Sequence, residues 1–290
     1  DGRGVPPDEP SLANGSIDPA EIRNLSTTVF ISHGHLDHYA PGVFDWKKTV
    51  KDIAYVAGFK PEGKEGYVFM APRETKTLGG LDITTTMAND EGVGFFVKVD
   101  GVTIFHSGDH AAWTGGEENF KPEIDFLAGR GLRADLLFMP VSGTNDPAMN
   151  QGVHYAMTQL SAVAVFPGHV SGREEVYREF ARDAAKAGMT APIHCPEFGG
   201  DHFAVAGRWR GQLEQAQATE AQRDRARQID KALDSIGVRP GMIVAEVGAG
   251  PGYLVEKLAR RVGPDGKVYA EDIVARMLEM VKLRMADRQL

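Results

Sequence analysis

The pattern of apolar and polar positions predicts a chain whose first two thirds are built mainly from short strands. Val29-Phe30-Ile31 is an apolar run of strand length, as a buried strand requires. Residues 54–57 and 67–70 read as two more short strands. Leu81-Asp82-Ile83-Thr84-Thr85-Thr86 alternates with the period of a strand that buries one face. Residues 95–99 and 102–105 flank Asp100-Gly101, a dipeptide that favours a two-residue hairpin turn because both positions tolerate positive φ. Residues 135–139 and 162–166 are further buried strands, and between them residues 141–150 read as a loop long enough to border a site.

Helical signals are fewer. Residues 173–187 form a helix closed by Gly188. Asp18-Pro19-Ala20-Glu21 predicts a short helix start, with Asp at the cap and Pro just inside. Residues 39–46 suggest a turn and helix edge, and residues 1–20, rich in Gly, Pro, Asp and Asn, a loop. A charge-rich stretch without proline from about residue 212 to 235 predicts a single linker helix. Residues 241–273 then read as strand, Gly-rich turn, helix, turn, strand. The expected organisation is a domain over 1–210, a linker helix over 211–235 and a second domain over 236–290.

Composition narrows the partners. A chain of 290 residues with 42% hydrophobic content can bury a sizeable core in one large or two medium domains. No run approaches the ~18 apolar residues of a membrane-spanning helix. A net charge of −8 and a pI near 5.6 leave no electrostatic footprint for nucleic acid, so a small-molecule substrate is expected instead. The lone Cys195 excludes an internal disulfide. No signal peptide is visible, and a cytoplasmic location is expected.

The densest chemistry follows the first predicted strand, in His33-Gly34-His35-Leu36-Asp37-His38. Imidazole and carboxylate are the ligands of borderline divalent metals. His33 and His35 share a side if the strand continues, because side chains alternate. Asp37 and His38 are adjacent, so the chain must turn after His35 for all four to line one cavity. Two more candidates end predicted strands: Asp109 in His106-Ser107-Gly108-Asp109-His110, and His169 in Phe166-Pro167-Gly168-His169.

The run His33 to His38 resembles the H-x-H-x-D-H motif of the metallo-β-lactamase-fold hydrolases. The resemblance implies an α/β fold, a four-layer αββα sandwich with two sheets face to face and helices outside, whose N-terminal hairpin is missing here save for a tail at Asp1-Gly2. It also implies two divalent metal ions. His33 and His35 would hold the first, Asp37, His38 and His169 the second, and Asp109 would bridge both. The family's third histidine for the first metal is absent. Met87-Ala88-Asn89-Asp90-Glu91-Gly92 stands in its place, with Asp90 the replacement candidate and Glu91 the next. A carboxylate there makes a harder, more oxygen-rich site, so zinc is the default ion while manganese or iron also fit. The implied reaction is hydrolysis of an ester, lactone, lactam or phosphodiester by a metal-bridging hydroxide. In it Asp37 would orient the nucleophile, and His110 would act beside Asp109 or on substrate. The layout looks closest to the lactonase and phosphodiesterase-like branches. His106 is expected in the core, orienting a ligand.

Residues 241–273 resemble the first part of a class I S-adenosylmethionine-dependent methyltransferase. By that resemblance Glu246, Gly248, Gly250 and Gly252 line the cofactor and Asp272 meets its ribose. Two strands cannot make that family's cofactor cleft, so S-adenosylmethionine is expected only in a complete domain. The chain is therefore expected to be a segment of a two-enzyme fusion. Two competing readings follow: methyl transfer in the full-length parent with an auxiliary hydrolase domain, and a non-catalytic metal-binding scaffold.

Overall fold

The first strand, β1 (Ser26–Ile31), pairs in parallel with β2 (Asp52–Ala57), which pairs with β3 (Val68–Phe69) to make a three-stranded sheet. A six-stranded sheet holds β4 (Thr75–Leu78), β5 (Leu81–Met87), β6 (Val93–Val99), β7 (Val102–His106), β8 (Leu136–Pro140) and β9 (Ala164–Gly168), side by side in that order. The early strands β4 to β6 are antiparallel, and β7 to β9 run parallel. The Asp100-Gly101 turn has φ 49° and 73°, the two positive values that a type I′ turn demands. Parallel neighbours need long crossovers. These contain α1 (Glu117–Gly129) and α2 (Pro147–Gln159), and α3 (Glu175–Lys186) follows β9. The computed structural model describes residues 9–143, 145–170, 172–205 and 207–290.

Alternation along the strands builds the layers. On β6, Phe96 joins Phe105, Leu137, Phe120, Ile124 and Phe180 in a cluster between the six-stranded sheet and the three helices. Its neighbours Val93, Phe95 and Val97 face the other way and meet Val56 and Met70 of the three-stranded side. The Phe30 and Phe95 rings lie 5.1 Å apart across that inter-sheet space. Beyond it, Ile31, Tyr55 and Ala57 pack on Phe44 of a 3-10 segment, Pro41–Lys48. Each fully buried Phe of these clusters contributes about 1.5–3 kcal/mol. The expected α/β class and its two-sheet, helix-flanked layering are what the structure has.

Several local expectations need correction. Residues 19–24 form turns rather than a helix, because the Asp18 side chain accepts the Ala20 N–H and its carbonyl the Glu21 N–H, closing a local turn. Residues 147–150 begin α2 and are not loop; Asp146 caps that helix through the N–H groups of Ala148 and Met149. The Asp1-Gly2 hairpin tail lies outside the described residues.

The chain divides into two compact units, with the main boundary after Val205 and Asp100–Val102 grouped with the second. In the second unit the expected linker helix is three pieces: α4 (Arg208–Ala218), α5 (Glu220–Arg227) and α6 (Ile229–Ser235). The break before α6 falls at Gln228, in the left-handed region with φ 46°. A strand–helix–strand–helix run follows: β10 (Ile243–Val247), α7 (Tyr253–Val262), β11 (Lys267–Glu271) and α8 (Ala275–Arg288), with β10 and β11 parallel. Arg284 of α8 is fully buried, and Glu220 and Glu256 both bond its guanidinium. No helix among the described residues is long and apolar enough to cross a membrane.

Candidate metal centre

The end of β1 is gripped from three sides by backbone. Gly58 N–H donates to the Ile31 carbonyl, and Val93 N–H to the Ser32 carbonyl. A methyl group on Gly92 would sit 2.1 Å from the Ser32 oxygen, and one on Gly58 would sit 2.4 Å from it. Gly108 approaches the Ser32 side chain less closely, its Cβ position lying 3.0 Å from Ser32 Cβ. His33 is thereby held at 0% exposure. After His35 the chain turns as expected: the His38 and Tyr39 N–H groups both donate to the His35 carbonyl. That turn brings Asp37 and His38 back over the strand end.

Asp109 follows β7 and lies at the centre of the cluster. One carboxylate oxygen is 3.3 Å from His33 Nε2; the other is 3.0 Å from His38 Nε2 and 3.4 Å from His169 Nε2. Asp37 lies 3.8 Å from His169 and 3.9 Å from His38. His35 is half-exposed, with Glu91 3.1 Å from its Nε2 and Asp90 3.7 Å from its Nδ1. His169 ends β9 at φ 71°, a left-handed conformation uncommon outside glycine that marks a constrained position.

All seven ligand candidates thus share one place, in three overlapping sets: His33, His38 and Asp109; Asp37, His38 and His169; His35, Asp90 and Asp109. Within each set the ligand atoms lie within 4.8 Å of one another. His33 Nε2, His38 Nε2 and one Asp109 oxygen are buried without a hydrogen bond, although they stand at ion-pair distance. Buried polar atoms left unpaired are costly. Converging imidazole nitrogens and a carboxylate fit a divalent cation, which would satisfy all three. Ser32 Oγ is 3.0 Å from His33 Nδ1, the outer partner that fixes an imidazole so that Nε2 faces a metal. Burial opposes ionisation of Asp109, but the imidazoles of His169, His33 and His38 outweigh it and hold the carboxyl well below the usual carboxylate range.

Two histidines depart from expectation. His110 does not face the cluster. It is fully buried; its Nδ1 accepts the Asn89 N–H at 3.2 Å and its Nε2 donates to the Phe120 carbonyl at 3.1 Å. With both nitrogens committed to backbone, it is in no position to move a proton for a substrate. His106 is exposed rather than in the core; its Nδ1 accepts the Gly108 N–H at 3.0 Å and so shapes the turn that presents Asp109. Ser32, Asn89 and Trp113 also border the cluster, the Trp113 ring 6.1 Å from that of His169. Their roles depend on partners far away in the chain, which no local motif signals.

In the second unit, Gly248, Gly250 and Gly252 form the turn between β10 and α7, all with positive φ. Space is open around the Cβ positions of Gly248 and Gly250. The Asp272 carboxylate is engaged by the N–H groups of Val274 and Gly250, which lower its pKa. Glu246, on β10, has a buried oxygen without a hydrogen bond, and burial pushes its carboxyl from 4.5 up to about 7. A carboxyl whose pKa is raised by folding favours the fold while protonated. Its contribution is complete below pH 4.5 and is lost as pH rises through about 7. Glu246→Gln is expected to flatten this part of the pH dependence and to add about 1–2 kcal/mol at pH 8. Chemical denaturation of both proteins from pH 4 to 8 checks it, and parallel profiles would contradict it.

No protein-family model matches the chain. A UPF0173 metal-dependent hydrolase of Methanoregula boonei is 26% identical over 184 residues, covering 58% of this chain and 75% of the relative. A ubiquinone/menaquinone biosynthesis C-methyltransferase of Hahella chejuensis is 42% identical over 55 residues, or 19% of this chain. The match spans only 22% of that methyltransferase. Among solved structures, Igni18, a metallo hydrolase from Ignicoccus hospitalis, has a TM-score of 0.45 at 20% identity, covering 60% of this chain and 77% of its own. The metallo-β-lactamase fold protein YhfI from Bacillus subtilis has a TM-score of 0.39 at 16% identity, covering 62% and 75% respectively.

Proposed function

We propose that the first unit is a metal-dependent hydrolase of the metallo-β-lactamase superfamily, and that its centre takes two divalent ions. The observation that carries this reading is the Asp109 carboxylate, one oxygen toward His33 and the other toward His38 and His169, among buried ligand atoms that lack hydrogen bonds. His33, His35 and Asp90 would hold the first ion, Asp37, His38 and His169 the second, and Asp109 both. Such a pair of ions supplies Lewis acidity and lowers the pKa of water to near neutrality. The chain's own residues do the rest. Asp37, 3.8 Å from His169 and 3.9 Å from His38, has a carboxylate that can orient a water toward the substrate. Ser32 keeps the His33 ring in one orientation. Trp113, beside His169, offers an apolar wall for the body of a small substrate. The substrate class is an ester, lactone, lactam or phosphodiester; the acidic balance of the chain favours the uncharged members.

A second activity has its own support in the strand, glycine turn and helix of β10 and α7 and in the match to a methyltransferase. The match covers only 22% of that methyltransferase, and this chain is expected to bind S-adenosylmethionine weakly or not at all. Tight, saturable calorimetric binding would contradict that.

The test of the hydrolase is elemental analysis of the purified chain together with a screen of lactones, lactams, esters and phosphodiesters. Two ions per chain with turnover supports it; bound ions without turnover of any of these supports a scaffold. Asp90 separates the two ions. Asp90→Ala is expected to weaken the first ion about 10- to 100-fold and to spare the second, and Asp90→His to shift preference toward zinc. Competition titration with zinc and manganese measures both. Unchanged stoichiometry and preference in Asp90→Ala would pass the role to Glu91, which lies nearer to His35.

A further inference from the structure

We propose that Asn89 is a positioning residue for the first ion: its side chain bolts the 88–92 turn to the segment that carries Asp109, and so sets Asp90 and Glu91 against His35. The inference rests on the dinuclear reading above. Asp90 and Glu91 are half-exposed side chains on a surface turn, and nothing in their own sequence fixes where they point. Asn89 does so from the inner side. Its Oδ1 accepts the Ala111 N–H at 3.0 Å and its Nδ2 donates to the Ala111 carbonyl at 2.6 Å. One amide thus satisfies both polar groups of a single backbone residue, as a neighbouring strand would. Its own N–H donates to His110 Nδ1, and His110 is anchored in turn on the Phe120 carbonyl. Ala88 N–H donates to the Gly92 carbonyl and closes the turn, while Met87 N–H donates to the fully buried Glu123 and ties down its entry. The bolt joins residues that adjoin two ligand segments: Asn89 precedes Asp90, and His110 and Ala111 follow Asp109. This also gives His110 a purpose consistent with its buried, fully bonded ring.

The arrangement predicts a selective defect. Without the amide, the turn keeps its Met87 and Gly92 tethers, but the carboxylates must be ordered when the ion binds. The test titrates zinc against a chromophoric chelator in the wild-type chain, Asn89→Ala and Asn89→Asp, with cobalt d–d spectra as a second readout and circular dichroism of the metal-free proteins as the fold control. Asn89→Ala is expected to lose about 10- to 100-fold in affinity for the first ion only, with an altered cobalt spectrum. Asn89→Asp keeps the acceptor for Ala111 N–H and should fall between it and wild type. Wild-type affinities for both ions in Asn89→Ala, or equal loss of both, would overturn the proposal. If Asn89→Ala does not fold, Asn89→Asp decides by the same criterion. A wild-type chain that takes up no ion overturns the dinuclear reading itself, and this proposal with it.

Discussion

Asp109→Ala is expected to leave the folded chain with little bound metal and no measurable hydrolysis, the largest functional effect of any single substitution in the first unit. The reason is geometric. Asp109 places one oxygen toward His33 of the first ion position and the other toward His38 and His169 of the second. Its removal takes a ligand from each position and takes away the negative charge that offsets two dications. His169→Ala opens only the second position and should leave about one ion per chain. The fold should survive the Asp109 change, because the carboxylate touches the imidazoles and not the aromatic clusters between the layers. Metal content by elemental analysis, with circular dichroism as the fold control, tests this. Equal content in wild type and Asp109→Ala would remove Asp109 from the ligand set.

Gly92→Ala is expected to cost about 2–5 kcal/mol of stability and to displace His33, the largest effect among the glycines that surround the end of β1. Two costs add. The residue sits at φ +70°, which is strained for any L side chain by about 1–2 kcal/mol. Its new methyl would also meet the Ser32 carbonyl oxygen at 2.1 Å and His33 Cβ at 2.7 Å, so backbone must move, with an overpacking cost of about 1–3 kcal/mol. Gly63→Ala separates the two costs. It has φ +64° with nothing near its Cβ position, and should lose only the conformational part. Denaturant unfolding and metal titration of both variants measure the difference. Equal losses would mean that the close approach at Ser32 carries no weight.

The hairpin at Asp100-Gly101 and the strands ending at Ile31, Pro140 and Gly168 were legible because their signals are local: alternation, apolar runs and a turn dipeptide. The seven candidate ligands were legible because each sits at the end of such a strand or in the turn that follows one. The helices α1 and α2 were not. Glu117–Gly129 carries Pro122 inside it, a residue that breaks a sequence pattern, and it is held by packing of Phe120, Ile124 and Leu127 on the sheet. The break at Gln228 leaves no mark in the sequence because glutamine carries no left-handed preference. His110 adjoins Asp109 in the sequence, but adjacent residues after a strand point apart, and its ring turns into the core instead.

The ligands come from distant parts of the unit: His33 and His38 follow its first strand, Asp109 the fourth strand of the larger sheet, and His169 the last strand of that sheet. Ordering these segments closes most of the first unit into loops, whose entropy must be overcome before any of the contacts forms. The antiparallel strands β4 to β6 close short loops and can form quickly, while the parallel pairing of β8 and β9 joins strands separated by a helix. High contact order of this kind slows folding. The cluster around Asp109 is therefore assembled only as the last long-range pairings lock. A cation captured there would act as a cross-link between the two ends of the folding pathway, and its main kinetic effect would be to slow escape from the native state rather than to speed arrival.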